Sequence, residues 1–460
     1  MTGSHTGSPR THHRQADAVA QHAAFRRRVV LGLVAVLVPV FAAVGVGMVV
    51  MWPQHASGKV DLGATGYVKG TAFVAATVTK VDPFQCASVG SAPAPDGTLS
   101  KVTCAHVEAR VESGAARGQV AKLDLEPPTV RSGIHAGDRL QLARFPAGPG
   151  QPDVYVFVDF ERTVPMIWLA VVFAVLVCAV ARFRGLAAIA GLLVSFVVLV
   201  KFMIPALLSG EQPLLVGLIG SAAIMLVVLY LAHGVSIRTT TALVGTLFGL
   251  CSSALLAAWA VSAMHLSGVA TEDDLTVSAV ASQVKLSGLL LCGIIVASLG
   301  ILNDVTVTQA SAVWELHELR PDAGSRRLFS GAMRIGRDHI ASTVYTIAFA
   351  YAGAALPILL LIDVSQQPFS TVITREALAE EVARTLVGSI GLVLSVPLTT
   401  LVGVLIVRAS RGSFDRVRED DAVQVASSGA LPPAVASPAE HDPDLSQILE
   451  HYKGRRPREP

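Results

Sequence analysis

LGILNDVTVTQASAVWELHELRPDAGSRRLFSGAMRIGRDHIASTVYTIAFAYAGAALPILLL, Leu299–Leu361, decides how the chain is read. Two long apolar segments flank a short arginine-rich connection. Asn303 and Asp304 sit inside the first; Arg334, Arg337 and Asp338 open the second. A charge at membrane depth is costly, so it is usually paired, turned to water or functional. A working site is therefore expected here.

Working outward, 52% of the 460 residues are hydrophobic and 15% charged, with mean hydropathy +0.56. That is more apolar than a typical soluble domain. Net charge is +2, too near neutral to argue for nucleic acid as a partner. The lipid bilayer is the partner that composition does imply. Residues 29–52 form an apolar run behind Arg26-Arg27-Arg28. About 20 residues suffice to span the hydrocarbon core. The run is long for a signal peptide, and Trp52-Pro53-Gln54 is a poor cleavage site, so an uncleaved signal anchor is expected. From residue 164 to 407 the chain is membrane-like. Further spans are expected at Val164–Ala181, Leu186–Leu208, Pro213–Ala232, Thr239–Ala263, Leu286–Val313, Ile340–Ile362 and Leu386–Val407. With the N-terminus inside, eight spans put Arg182/Arg184, Arg238, the Arg320–Arg337 group and Arg408/Arg411 on the cytoplasmic side. Lys285, Arg375 and Arg384 are the exceptions to the positive-inside rule.

Residues 54–163 change character. β-type runs at Thr71–Val81, Val102–Val111, Gln119–Leu125, Arg139–Arg144 and Val154–Phe160 are separated by Gly, Pro and Asp turns. The expected fold class is an α-helical polytopic membrane protein of eight transmembrane helices. A small extracytoplasmic β domain, an OB-like barrel or a sandwich, lies between helices 1 and 2. Cys86 and Cys104 flank a Gly/Pro-rich loop, and outside the cell a disulfide is allowed there. It would contribute about 3 kcal/mol in the chain-entropy model. Residues 1–28, with scattered His5, His12, His13 and His22, and residues 408–460 read as disordered cytoplasmic segments.

Several polar residues stand out in the apolar runs. Lys201 either snorkels to the outer interface or lines a polar cavity. Asp304 lies about 27 Å along its helix from Leu286. With Asn303, Arg334, Arg337 and Asp338 it forms either a structural ion-pair network or a proton- or ion-coupled site. Gly245 and Gly249 make a GxxxG match, which serves helix contacts inside one chain as well as dimers. Prolines 39, 205, 357 and 397 fall inside spans and are expected to kink them. No G-x-S-x-G, H-E-x-x-H, P-loop or zinc-ligand spacing is present, so no enzyme, metal or cofactor is expected.

LGILNDVTVTQAS (Leu299–Ser311), SGAMRIGRDHI (Ser330–Ile340), AYAGAALPILLL (Ala350–Leu361) and EEVARTLVGSIGLVLSVPLTTLV (Glu380–Val402) resemble the YibE/F-like family of bacterial membrane proteins. The likeness covers most of the chain from the β domain to the eighth span, and implies a multi-pass protein of the bacterial cytoplasmic (inner) membrane. It implies no particular activity. LNDVTVT with its basic loop is also similar, over a short stretch, to the membrane halves of Sec export accessory proteins, where an acidic residue takes part in proton coupling. The leading expectation is a transport- or export-related permease with Asp304 as its polar pivot and an unknown substrate. The alternative is a non-transporting scaffold, sensor or assembly factor whose β domain binds an extracytoplasmic partner.

Overall fold

The computed structural model describes residues 31–32, 34–52, 71–87, 101–146, 153–365 and 368–411. The expected terminal segments, the histidines, Arg26–Arg28 and the loop between Cys86 and Cys104 lie wholly or mostly outside them. Two compact units divide the chain: Met1–Val34 with Leu405–Pro460, and Ala35–Val404. The described part of the first is the start of one helix and the last turns of another.

Five strands, β1 (Ala72–Ala87), β2 (Lys101–Val111), β3 (Val120–Leu125), β4 (Arg139–Phe145) and β5 (Val154–Phe160), make one antiparallel sheet in the order β3-β2-β1-β4-β5. Alternation drives it. Val74, Ala76 and Val78 of β1 share one face with Val107, Ala109 and Val111 of β2, Leu123 and Leu125 of β3 and Leu140 and Leu142 of β4. The sheet curls into a half-barrel. Its edge regions approach closely enough for Tyr155 Oη to donate to Gln119 Oε1 at 3.0 Å. A short helix, α2 (Pro127–Arg131), follows β3. A disulfide joins Cys86 to Cys104, with their Cα atoms 5.8 Å apart. Surface charges pair along the rim: Arg139 with Glu112 and Glu161, Arg144 with Asp153, and Arg162 with Asp159. The Thr77 hydroxyl, and then Arg139, hold the Glu112 carboxyl below its ordinary range.

Helix α1 (Val34–Val50) is short and apolar. It packs through Phe41 on Tyr230 and Gly47 on Ile219, and Trp52 just beyond it lies against Phe202. After the sheet come α3 (Thr163–Val198), a π-turn (Leu199–Met203) and α4 (Ile204–Leu208). Together they run as one apolar stretch of 46 residues. It is broken at Arg182, where φ is 54° and ψ −130°. A Cβ on Gly185 would lie 2.5 Å from the Val177 carbonyl oxygen. Eight residues of straight helix would separate the two by about 12 Å, so the chain doubles back at Arg182. The π-turn has its own cause: the Pro205 ring cannot tolerate a helical carbonyl four residues earlier, at Lys201.

Helices α5 (Pro213–His233) and α6 (Ile237–Ala263) are joined by Gly234 at φ 72°, with Ser236 capping α6 by accepting from Thr239 N. A short helix, α7 (Glu272–Val280), starts on a Thr271/Asp274 capping box. It occupies the expected polar excursion. Helix α8 (Leu286–Leu319) stops just before Pro321. Helix α9 (Ser325–Ala354) starts 15 residues before the expected span at Ile340 and meets α10 (Leu356–Ser365) at a 64° bend. The bend lies beside Pro357, whose ring and missing N–H break the ladder. A one-turn α11 (Phe369–Ile373) leads into α12 (Glu376–Arg411). This last helix starts ten residues earlier than the span expected from Leu386, because its charged first turns are helical too.

Among the described residues, five helices are long and apolar enough to cross a membrane, and six if the bent α9–α10 pair is one span. The chain is thus an integral membrane protein with several spans, preceded by the half-barrel.

Candidate functional site

Three helices, α6, α8 and α12, pack closely because small residues line their contacts. A Cβ on Gly245 would fall 1.9 Å from Thr399 Oγ1, and one on Gly391 would fall 2.0 Å from Ser253 Oγ. The GxxxG pair of α6 is therefore used inside the chain, against α8 and α12.

Close approach brings polar side chains together in the interior. Ser253, Thr246, Ser298, Thr306, Gln309, Ser395, Thr399 and Thr400 are all buried. Most hydroxyls bond back to their own helix, as Ser298 does to Ile294 O and Thr399 to Ser395 O. Others cross between helices. Thr246 and Thr306 hydroxyls meet at 2.5 Å. Gln309 Nε2 donates to Ala332 O at 3.0 Å and to Thr400 Oγ1 at 2.6 Å. Some buried atoms have no hydrogen bond: Ser253 Oγ, Asn303 Oδ1, Gln309 Oε1, Ser389 Oγ, Glu380 Oε1 and Glu381 Oε2 in these helices, and Ser221 Oγ in α5. A polar seam thus lies along the three-helix contact. From Glu380 to Thr400 it follows 20 residues of α12, about 30 Å, which is the thickness of the hydrocarbon core.

The polar residues singled out from sequence fall on α8, α9 and the π-turn, and most of them lie outside the buried set. Asn303 is half-buried, with its orphaned Oδ1 turned inward. Asp304 is exposed on the open side of α8. On α9, Arg334, Arg337 and Asp338 are exposed, while Gly336 among them is buried and meets Gln309. Among the described residues no ion pair joins Asp304, Arg334, Arg337 or Asp338 to one another. Lys201 is exposed and lies in the π-turn. No group of three or more His, Cys, Asp or Glu side chains is arranged to hold a metal ion among the described residues.

Sequence reading did not single out Glu380, Ser253, Ser298, Ser395, Thr399 or Thr400. A signal did exist: Glu376, Glu380, Val387, Gly391, Ser395 and Thr399 recur on one face of α12 at intervals of four or seven.

The seam-bearing helices fall within the region that decides kinship, for the YibE/F-like protein family matches residues 169–409. The chain belongs to the YibE/F-like family. The match begins inside α3 and leaves the half-barrel out, so it is narrower than the likeness expected from sequence. No curated protein and no solved structure matches the chain.

Proposed function

We propose that this YibE/F-like protein is a permease of the bacterial cytoplasmic membrane and that the seam between α6, α8 and α12 is its pathway. The observation that carries this reading is the set of unpartnered polar atoms in the seam. Buried polar groups are usually paired, and polar groups kept without partners inside a membrane bundle are candidates for a functional role. Asp304, one residue from Asn303, is the coupling group in this reading, moving a proton or ion with the substrate. No enzymatic step belongs to it.

Eight spans fit the same reading. Counting α1, both limbs of the stretch folded at Arg182, and the bent α9–α10 pair adds three to the five long helices. The N-terminus is then inside, with the half-barrel and its disulfide outside, where oxidising conditions favour the bond. The strand order, with a helix after β3, supports an OB-like barrel left open on one side.

The test uses full-length protein in vesicles carrying an internal pH dye. Wild-type protein should dissipate an imposed proton gradient. Asp304→Asn should lose that flux while remaining folded and membrane-inserted, and an unchanged rate would remove the coupling role. The second reading, a scaffold or sensor, draws on the groove between β3 and β5, lined by Lys122, Asp124, Glu126 and Tyr155. Deleting Asp415–Pro460 separates the two, since a permease keeps its flux and a sensor loses its output.

A further inference from the structure

At one end of the bundle three connections meet. Gln283 Nε2 donates to Leu208 O at 3.5 Å, linking the loop after α7 to the end of α4. Glu376 Oε1 accepts from the Ser267 hydroxyl at 2.6 Å, the Gly268 amide at 2.9 Å and the Ser267 amide. The loop after α6 is thereby fastened to the first turn of α12. Gly268 is required there: φ is 78°, and a Cβ would strike the Leu286 carbonyl at 2.5 Å.

One turn further along α12 lies Glu380, only 8% exposed, with Oε1 bonded to nothing. Ala379 and Ala383 beside it pack in a cluster with Ala257 and Ala260 of α6 and Leu290 and Ile294 of α8. The charged groups that bear on it are Glu376, Glu381 and Arg384 of α12 and Asp274 of α7. Arg384 is already committed: it bonds Glu381 and stacks 5.9 Å over the Tyr351 ring of α9. Four carboxyls therefore gather where one cation is engaged elsewhere. A buried carboxylate with no donor and like-charged neighbours is strongly disfavoured, and a proton on it removes that cost.

We infer that Glu380 is a proton-binding group at the outer end of the seam, covered by the Glu376–Ser267–Gly268 clamp. This rests on the permease reading for what the proton is used for and for which end is outer, but not for its being bound. The step is a simple transfer. A proton leaves external water and forms an O–H bond at the Glu380 carboxyl, with no change of oxidation state. It departs by return to water or by hand-over to the seam.

Dicyclohexylcarbodiimide, which reacts with protonated carboxyls in apolar surroundings, tests this on the full-length protein in lipid, with the modified residue mapped by peptide mass spectrometry. Glu380 should be modified at acidic pH, and the modification should be lost at alkaline pH. Infrared difference spectra should show a protonated-carboxyl band that Glu380→Gln abolishes and Asp304→Asn keeps. An unmodified Glu380 at acidic pH, or a band that survives in the Gln variant, overturns the inference even where wild-type vesicles pass protons. Vesicles that pass no protons, with Glu380 modified as expected, overturn the permease reading and leave the proton site standing.

Discussion

The half-barrel and the helical bundle handle polar groups in opposite ways. In the sheet, most charges stay near the surface in ion pairs, as Arg139 does with Glu112 and Glu161, and the interior is Val, Ala and Leu, although Glu161 Oε2, just past β5, is buried with no hydrogen bond beyond that ion pair. In the bundle, polar side chains go inward, and several have no partner at all. A soluble-type domain has water on its outer face, so burying polarity gains it nothing. A membrane bundle has lipid there, so its interior is where polar groups can be kept.

That contrast can be broken first at the two interiors. Leu142 is fully buried in the sheet, and Leu142→Ala should cost about 2–5 kcal/mol. Limited proteolysis of the full-length protein should then cut within residues 101–160 while the bundle stays monodisperse in detergent. Loss of both regions together would mean that they are not energetically separate. Gly245→Ala should destabilise the bundle by about 1–3 kcal/mol. The Thr399 hydroxyl could turn aside, but its Cβ, 2.9 Å from the new methyl, cannot. Thermal unfolding in detergent should drop, with the proteolytic pattern of the sheet unchanged.

The smallest effect sharpens the sheet side. The folded value of Glu112 is lowered, so it contributes stability above its unfolded value. That contribution is lost as pH falls through the folded value, below the ordinary 4.5. Glu112→Gln should flatten this acid-side loss slightly, read as the pH dependence of sheet proteolysis. Because the group is exposed, the change should shrink further in high salt.

The sheet was legible because a period of two, punctuated by Gly and Pro, has few other readings. All five strands begin within a residue of where the pattern puts them, although β1 runs on to Ala87. Membrane helices were legible by apolar length, and the bend beside Pro357 by proline chemistry. The seam was not, because Ser and Thr inside an apolar run look the same whether they face lipid, their own backbone or a neighbouring helix. Asp304 drew attention by its charge, yet it lies on an open face. Glu380 sat among Glu376, Glu381 and Arg384, which resemble a solvated loop. Only the loop more than 100 residues upstream, held by Glu376 through Ser267, and the apolar surfaces of α6 and α8 turn that stretch inward.

The reversal at Arg182 bears on how its two limbs come together. Two apolar limbs joined by so tight a corner are neighbours in sequence as well as in space, so bringing them together closes almost no loop. The Arg182 side chain sits exposed at the tip of that corner, outside the apolar limbs that meet there.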